Sequence, residues 1–166
     1  QMATSSDKIF HNAMYDVGWL RRLGVEVSGT IHDTMIAAPL VNENRNRYSL
    51  DSLGSEYCGE RKDESLLREA AHSFGVDPKS GMWKLPSNYV GPYAEQDAVL
   101  TLKLWKVLKD LMDKEEVNQI YTLERDLLPL LLEMRWNGVR VDEDAAEEKS
   151  KYLKREEYKL LDQITK

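Results

Sequence analysis

The stretch from Gly91 to Trp105, Gly-Pro-Tyr-Ala-Glu-Gln-Asp-Ala-Val-Leu-Thr-Leu-Lys-Leu-Trp, constrains this chain more than any other, because it sets an acid on the apolar side of a helix. With Pro92 in the first turn, the apolar seam runs Tyr93, Asp97, Leu100, Leu104, Val107 or Leu108, and Leu111, the spacing of one buried face. This phase puts Leu100, Leu104 and Leu108 inside and Lys103, Lys106 and Lys109 in water, and makes the helix the most buried of the chain. Tyr93 and Asp97 stand four residues apart, so phenol and carboxylate lie one turn apart on the inward side. A carboxylate aimed at a core must be salt-bridged, hydrogen-bonded, neutralised or bound to a metal. Taken alone, such an acid is more often a paired structural group than a ligand.

The remaining segments supply its neighbours. Lys8 to Phe10 reads as the end of a strand. His11-Asn12 can cap a helix from about Ala13 to Leu23, with Ala13, Val17, Leu20 and Leu23 inward and Gly24 as its stop. Asp16 borders that face, where an ordinary first-turn acid complements the helix dipole. Thr30 to Thr34 is extended, and Asp33 or Thr34 caps a helix from Met35 to Leu40, ended or kinked by Pro39. Ser49 opens a short helix with Leu50, Leu53 and Tyr57 inward. After a charged connector, Gly59 to Asp63, a helix from Glu64 to Phe74 buries Leu66, Leu67, Ala70, Ala71 and Phe74. Residues Asp77 to Pro92 read as loop, with Trp83 as an anchor. A helix from Val117 to Trp136 is bent or split by Pro129. Asp142 caps a last helix to Ile164, poor in apolar residues, that looks built to meet more protein or to stand in solvent.

Composition removes whole classes of function. The 166 residues give room for one domain, or a domain and part of its neighbour. No run approaches the roughly 18 apolar residues of a membrane span, so no membrane partner is expected. The single cysteine, Cys58, excludes a disulfide framework and a cysteine-rich zinc site, and fits a reducing, cytoplasmic setting. A net charge of -6 argues against a broad basic nucleic-acid surface. It leaves room for a nuclease, since carboxylates hold cations and the cations meet the phosphate. His11, His32 and His72 have no ligand-like spacing and read as surface or capping residues. Nothing in the sequence speaks to oligomeric state.

Motif order carries a resemblance. His11-Asn12-Ala13-Met14-Tyr15-Asp16 resembles the second motif of the DEDD-type 3'-5' exonucleases. Ile31 to Met35 with Tyr48 to Leu53 looks like the segment that follows it in the proofreading domain of family A DNA polymerases. Tyr93-Ala94-Glu95-Gln96-Asp97 looks like the third motif in its tyrosine form, and Leu123 to Met134 through Gly138 to Asp142 is similar to the junction with the polymerase domain. The first motif, an Asp-x-Glu on the central strand, has no counterpart among the residues before His11.

The resemblance implies an α/β, predominantly helical chain: a fragment of a ribonuclease H-like exonuclease domain over residues 1–114, lacking most of its central sheet. Residues 115–166 are then the junction and first helices of a polymerase domain. It implies two-metal-ion hydrolysis of the 3'-terminal phosphodiester, with two divalent cations, Mg2+ or Mn2+, about 3.5 to 4 Å apart. Asp97 would be a metal ligand, Asp16 would serve the second metal partly through water, Tyr93 would orient the attacking water and Asn12 would steady the strand end or substrate. Asp16 and Asp97 should then face one cleft. The implied partners are a single-stranded DNA 3' end and primer-template DNA. Without the bridging acid the isolated chain is expected to be nearly inactive; were it active, Asp33 would be the first residue to look to for the bridge. The competing reading is a non-catalytic, exonuclease-like helical module that supports a polymerase.

Overall fold

The computed structural model describes residues 6–164. Two short strands, β1 (Lys8–Phe10) and β2 (Ile31–Asp33), pair in parallel with Ile9 opposite His32. Parallel neighbours need a crossover between them, and α1 (Ala13–Arg22) provides it. Gly24, at a φ of 74°, turns the chain out of α1 in the left-handed region where a Cβ is costly. There follow α2 (Thr34–Val41), α3 (Leu50–Leu53) running into one π-helical turn (Gly54–Cys58), and α4 (Ser65–Ser73). The long α5 (Ser87–Lys114), α6 (Asn118–Asn137) and α7 (Glu143–Ile164) complete the chain.

The core is organised by α5. Leu100, Leu104, Leu108 and Met112 are at most 2% exposed, while Lys103, Lys106 and Lys109 are exposed, the phase that the sequence dictates. These residues pack with Ala37 and Ala38 of α2, Leu50 and Leu53 of α3, and Tyr121 of α6. Gly54 makes the close approach possible: a Cβ there would come within 2.7 Å of Leu100 Cδ2. A second, smaller cluster joins Leu67, Ala70 and Ala71 of α4 to Leu85, flanked by Tyr89, Val90 and Tyr93 of α5.

Several elements depart from the sequence expectation for identifiable reasons. The segment expected as loop up to Pro92 is helical from Ser87, so Pro92 lies inside α5. A proline there forfeits one backbone hydrogen bond and strains the preceding turn, at about 3 kcal/mol in an open helix. Burial of Tyr89, Val90 and Tyr93 against α4 offsets it. Trp83 is no anchor: it is 80% exposed, and Leu85 is buried instead. In α4 the i, i+3, i+4 stripe of Leu67, Ala70 and Ala71 is buried, whereas Leu66 and Phe74 are exposed, Phe74 meeting Tyr89 edge to face. Only Ala13 of the α1 face is fully buried, and Leu23 is exposed. Pro129 does not split α6. His32 is no surface residue, for it stacks on Trp105 and Tyr121, and burial pushes its pKa down.

One compact unit ends at Glu133 and a second begins at Met134. In the second, α7 has no buried residue and is laced on its surface by ion pairs such as Lys151 with Glu147. No described helix is long and apolar enough to cross a membrane.

Candidate functional site

The site begins with a carboxylate that the sequence offers as a cap, and as the fallback for the bridging place. Asp33, at the end of β2, is 3% exposed. Its Oδ1 accepts the amides of Asn12 at 2.9 Å and Met35 at 2.8 Å, and its Oδ2 accepts that of Ala13 at 2.7 Å. One acid therefore caps the N-termini of α1 and α2 together, where orphan amides and both helix dipoles favour negative charge. Asn12 occupies the cap position of α1 but makes no side-chain cap bond, contrary to expectation. Instead its backbone adopts a φ of 74°, a left-handed conformation that Asn tolerates better than most residues. With three amides on it, the Asp33 carboxylate is a structural knot rather than a spare ligand.

This knot fixes the first turn of α1, and with it Asp16. A cleft of about 550 Å3 is lined by Phe10, His11, Asn12, Asp16, Lys62 and Asp97, with Thr101 beside them. Asp16 and Asp97 thus come from different helices to the walls of one cleft. Burial, and then the charge of Asp33, push the Asp16 pKa up. Asp97 is fixed on α5, one turn after Tyr93; its side chain is partly exposed, and the Nζ of Lys62 lies 2.8 Å from each of its oxygens. The ammonium donates to Oδ2, whereas Oδ1 is buried and accepts no directed hydrogen bond among the described residues. Lys62 also donates to the Tyr93 hydroxyl at 3.3 Å. Burial alone would lower its pKa, but the bonds to Asp97 and Tyr93 outweigh that and hold it above the ordinary lysine value, so it is charged at neutral pH.

His11 completes the wall. Thr34 Oγ1 donates to the Phe10 carbonyl at 3.1 Å, which leaves it an acceptor for His11 Nδ1 at 2.9 Å. The ring is therefore assigned as the Nδ1–H tautomer, with Nε2 as an acceptor. Burial pushes its pKa down against the opposing pull of Asp33, so the ring is neutral.

The sequence does not single out Lys62, and it offers His11 only as a surface or capping residue beside the motif's Asn12. Lys62 sits within Glu60-Arg61-Lys62-Asp63-Glu64, where five consecutive charges have no periodicity to mark one of them as inward. His11 adjoins a motif residue but lacks the spacing of a ligand. Among the described residues no three His, Cys, Asp or Glu side chains converge on one point. The donor set present is two carboxylates lining one cleft, one of them with a buried oxygen that is ion-paired to Lys62 but accepts no directed hydrogen bond among the described residues. Such a set suits one hard cation that keeps most of its waters and completes its shell with substrate phosphate.

The chain is similar to known proteins over nearly its whole length. Residues 2–113 match the model of a 3'-5' exonuclease family of the A-type DNA polymerases. A DNA-directed DNA polymerase of Pseudomonas phage M6 is 35% identical over 162 residues, covering 96% of this chain and 24% of that protein. The DNA polymerase DpoZ of Salmonella phage PMBT28 is 32% identical, with 94% of this chain and 25% of the relative covered. DNA polymerase I of Rhizobium leguminosarum is 28% identical over 95% of the chain and 15% of its own length. The chain thus spans about a quarter or less of these relatives.

Proposed function

The chain belongs to the 3'-5' exonuclease family of the A-type DNA polymerases, and from that membership we propose that it is the proofreading nuclease segment of such a polymerase. The exonuclease domains of these polymerases use divalent metal ions. We assign Asp97 and Asp16 as the groups that hold Mg2+ or Mn2+, two cations in the intact polymerase. When bound, the metal's part is to acidify a water and to neutralise charge building on the phosphate. The observation that carries the assignment is that Asp16 and Asp97, from helices distant in sequence, line one cleft.

The other roles follow from position. Tyr93, one turn before Asp97, presents its hydroxyl to the ammonium beside that carboxylate, where it can orient the attacking water. Asn12, exposed at the cleft rim with its backbone locked by Asp33, steadies the 3' end of a single strand delivered from primer-template DNA. The parallel β1 and β2 joined by α1 are proposed as two strands of a ribonuclease H-like sheet. Residues 1–114 are assigned to the nuclease and 115–166 to the junction with the polymerase. Packing alone runs further, to Glu133, because Tyr121 and Leu128 of α6 are buried.

A second reading, an exonuclease-like module that only supports the polymerase, is favoured by one observation: no third ligating side chain joins Asp16 and Asp97 among the described residues. The two readings part in one assay. In the polymerase carrying this chain, end-labelled single-stranded DNA should be shortened from its 3' end with Mg2+ or Mn2+. Asp97→Ala should slow this by about 100-fold or more, the scale of losing a metal-borne charge at a transition state, with polymerisation intact. Equal nuclease rates in wild type and Asp97→Ala would reject the assignment and leave the supporting role.

A further inference from the structure

The loop between the π-helical turn and α4 is held to α3 and α5 by a set of directed hydrogen bonds. The Lys62 amide donates to Asp51 Oδ1 at 3.2 Å. The Asp63 amide donates to Gln96 Oε1 at 3.0 Å, and Gln96 Nε2 donates back to the Arg61 carbonyl at 3.4 Å. Gln96 thus reads the backbone on both sides of Lys62, while Tyr93 and Asp97, on the same stretch of α5, receive its side chain. The ammonium lies 5.1 Å from the centroid of the Tyr93 ring, within cation–π range. In a loop of flexible, charged residues, Lys62 is the one whose side chain is only 14% exposed. A lysine so placed at the cleft is a positioned group.

We propose that Lys62 is a further residue of this nuclease site: a cation built into the chain that neutralises the Asp97 carboxylate and competes with a divalent metal ion for it. The inference rests on the assignment of Asp97 as a ligand. Two positive groups cannot share one carboxylate at close range without repulsion, so metal entry moves the ammonium off Asp97. The Tyr93 hydroxyl, bonded to the same ammonium, changes partner in that step. Lys62 is accordingly a positioning residue, setting the metal concentration at which Asp97 and Tyr93 become available to substrate.

The test is Mn2+ binding to the whole chain without DNA, read as free Mn2+ by electron paramagnetic resonance. Lys62→Met should bind Mn2+ about tenfold more tightly than wild type, and Lys62→Arg, which keeps the charge, should stay within about twofold of it. Unchanged or weaker binding in Lys62→Met overturns the proposal. Asp97→Asn separates the two readings: if it leaves Mn2+ affinity unaltered, Asp97 is not a ligand and the site assignment falls first. If it abolishes binding while Lys62→Met has no effect, only the role of Lys62 falls. A wild-type measurement guards against misfolding of the variants. Acetylation of Lys62 by acetic anhydride, followed by mass spectrometry, should rise severalfold on adding Mg2+ as the ammonium is freed. An unchanged rate also overturns the proposal.

Discussion

At the scale of single residues, the chain separates acids that hold the fold from acids that burden it. Asp33 accepts three backbone amides at two helix starts, so Asp33→Ala should cost about 2–4 kcal/mol in urea unfolding, more than one ordinary cap, because three donors, one buried and two part-buried, lose their partner together. Asp16 has the opposite sign. Its folded pKa is raised by burial and then by Asp33, so its favourable contribution is complete below the ordinary carboxylate value of 3.8 and is lost as pH rises through the folded pKa. Asp16→Asn should therefore raise the melting temperature at pH 7, with the gain fading in acid, and scans at several pH values would show it. A stability cost kept at a cleft-lining acid supports the metal-holding role proposed for Asp16. Tyr93, Asp97, Asp16 and Asn12 could be named from the sequence because motif spacing marks them. The amide knot at Asp33 was not legible beyond its local cap, since its partners Asn12 and Ala13 lie in another element and periodicity carries no information across strands. Lys62 was beyond reach for the same reason, its partners being on α5.

At the scale of elements, α5 was legible because one face repeats Leu100, Leu104 and Leu108 without interruption, and tertiary packing only deepened that pattern. Its start was not legible. Pro92 is a strong local signal for a first turn, yet the contacts of Tyr89 and Val90 with α4 override it, and no local rule contains those contacts. Exposed Trp83 makes the same point: a large aromatic among prolines and glycines looks like an anchor until Leu85 is found in the place it would fill. The packing makes a quantitative expectation. Leu104→Ala, at a fully buried position, should destabilise by about 2–5 kcal/mol, while Lys106→Ala on the opposite face should fall within about 0.5 kcal/mol. Gly54→Ala should cost about 1–3 kcal/mol by overpacking, since its methyl would stand 2.7 Å from Leu100 Cδ2. The double change Gly54→Ala with Leu100→Ala should recover part of that loss, and a double-mutant cycle measures the coupling.

At the scale of the whole molecule, the helical majority, two short strands and the nuclease family were recoverable from the sequence and its motif order, whereas the parallel pairing of the strands and the charge state of the cleft were not. That charge state bears on the metal binding proposed for the cleft. Asp16 and Asp97 line the cleft, Asp33 is bonded to three amides, and Lys62 offsets Asp97, so the cleft carries little free negative charge. Mg2+ gives up its waters reluctantly and needs several anionic ligands, or substrate phosphates, to hold it. Two cations close together need more still, because their mutual repulsion must be screened by a bridging carboxylate. Asp33 is poorly suited to that bridge, since turning it toward the cleft would strip three amides of their acceptor. The 166-residue chain alone should therefore bind Mn2+ weakly and degrade single-stranded DNA far more slowly than a longer polypeptide that brings further carboxylates to the cleft. The comparison uses equal molar amounts of the two proteins, end-labelled DNA, and Mg2+ or Mn2+ titrated to several millimolar. Equal rates, both abolished by Asp97→Ala, would mean that two carboxylates suffice and that the charge argument is wrong.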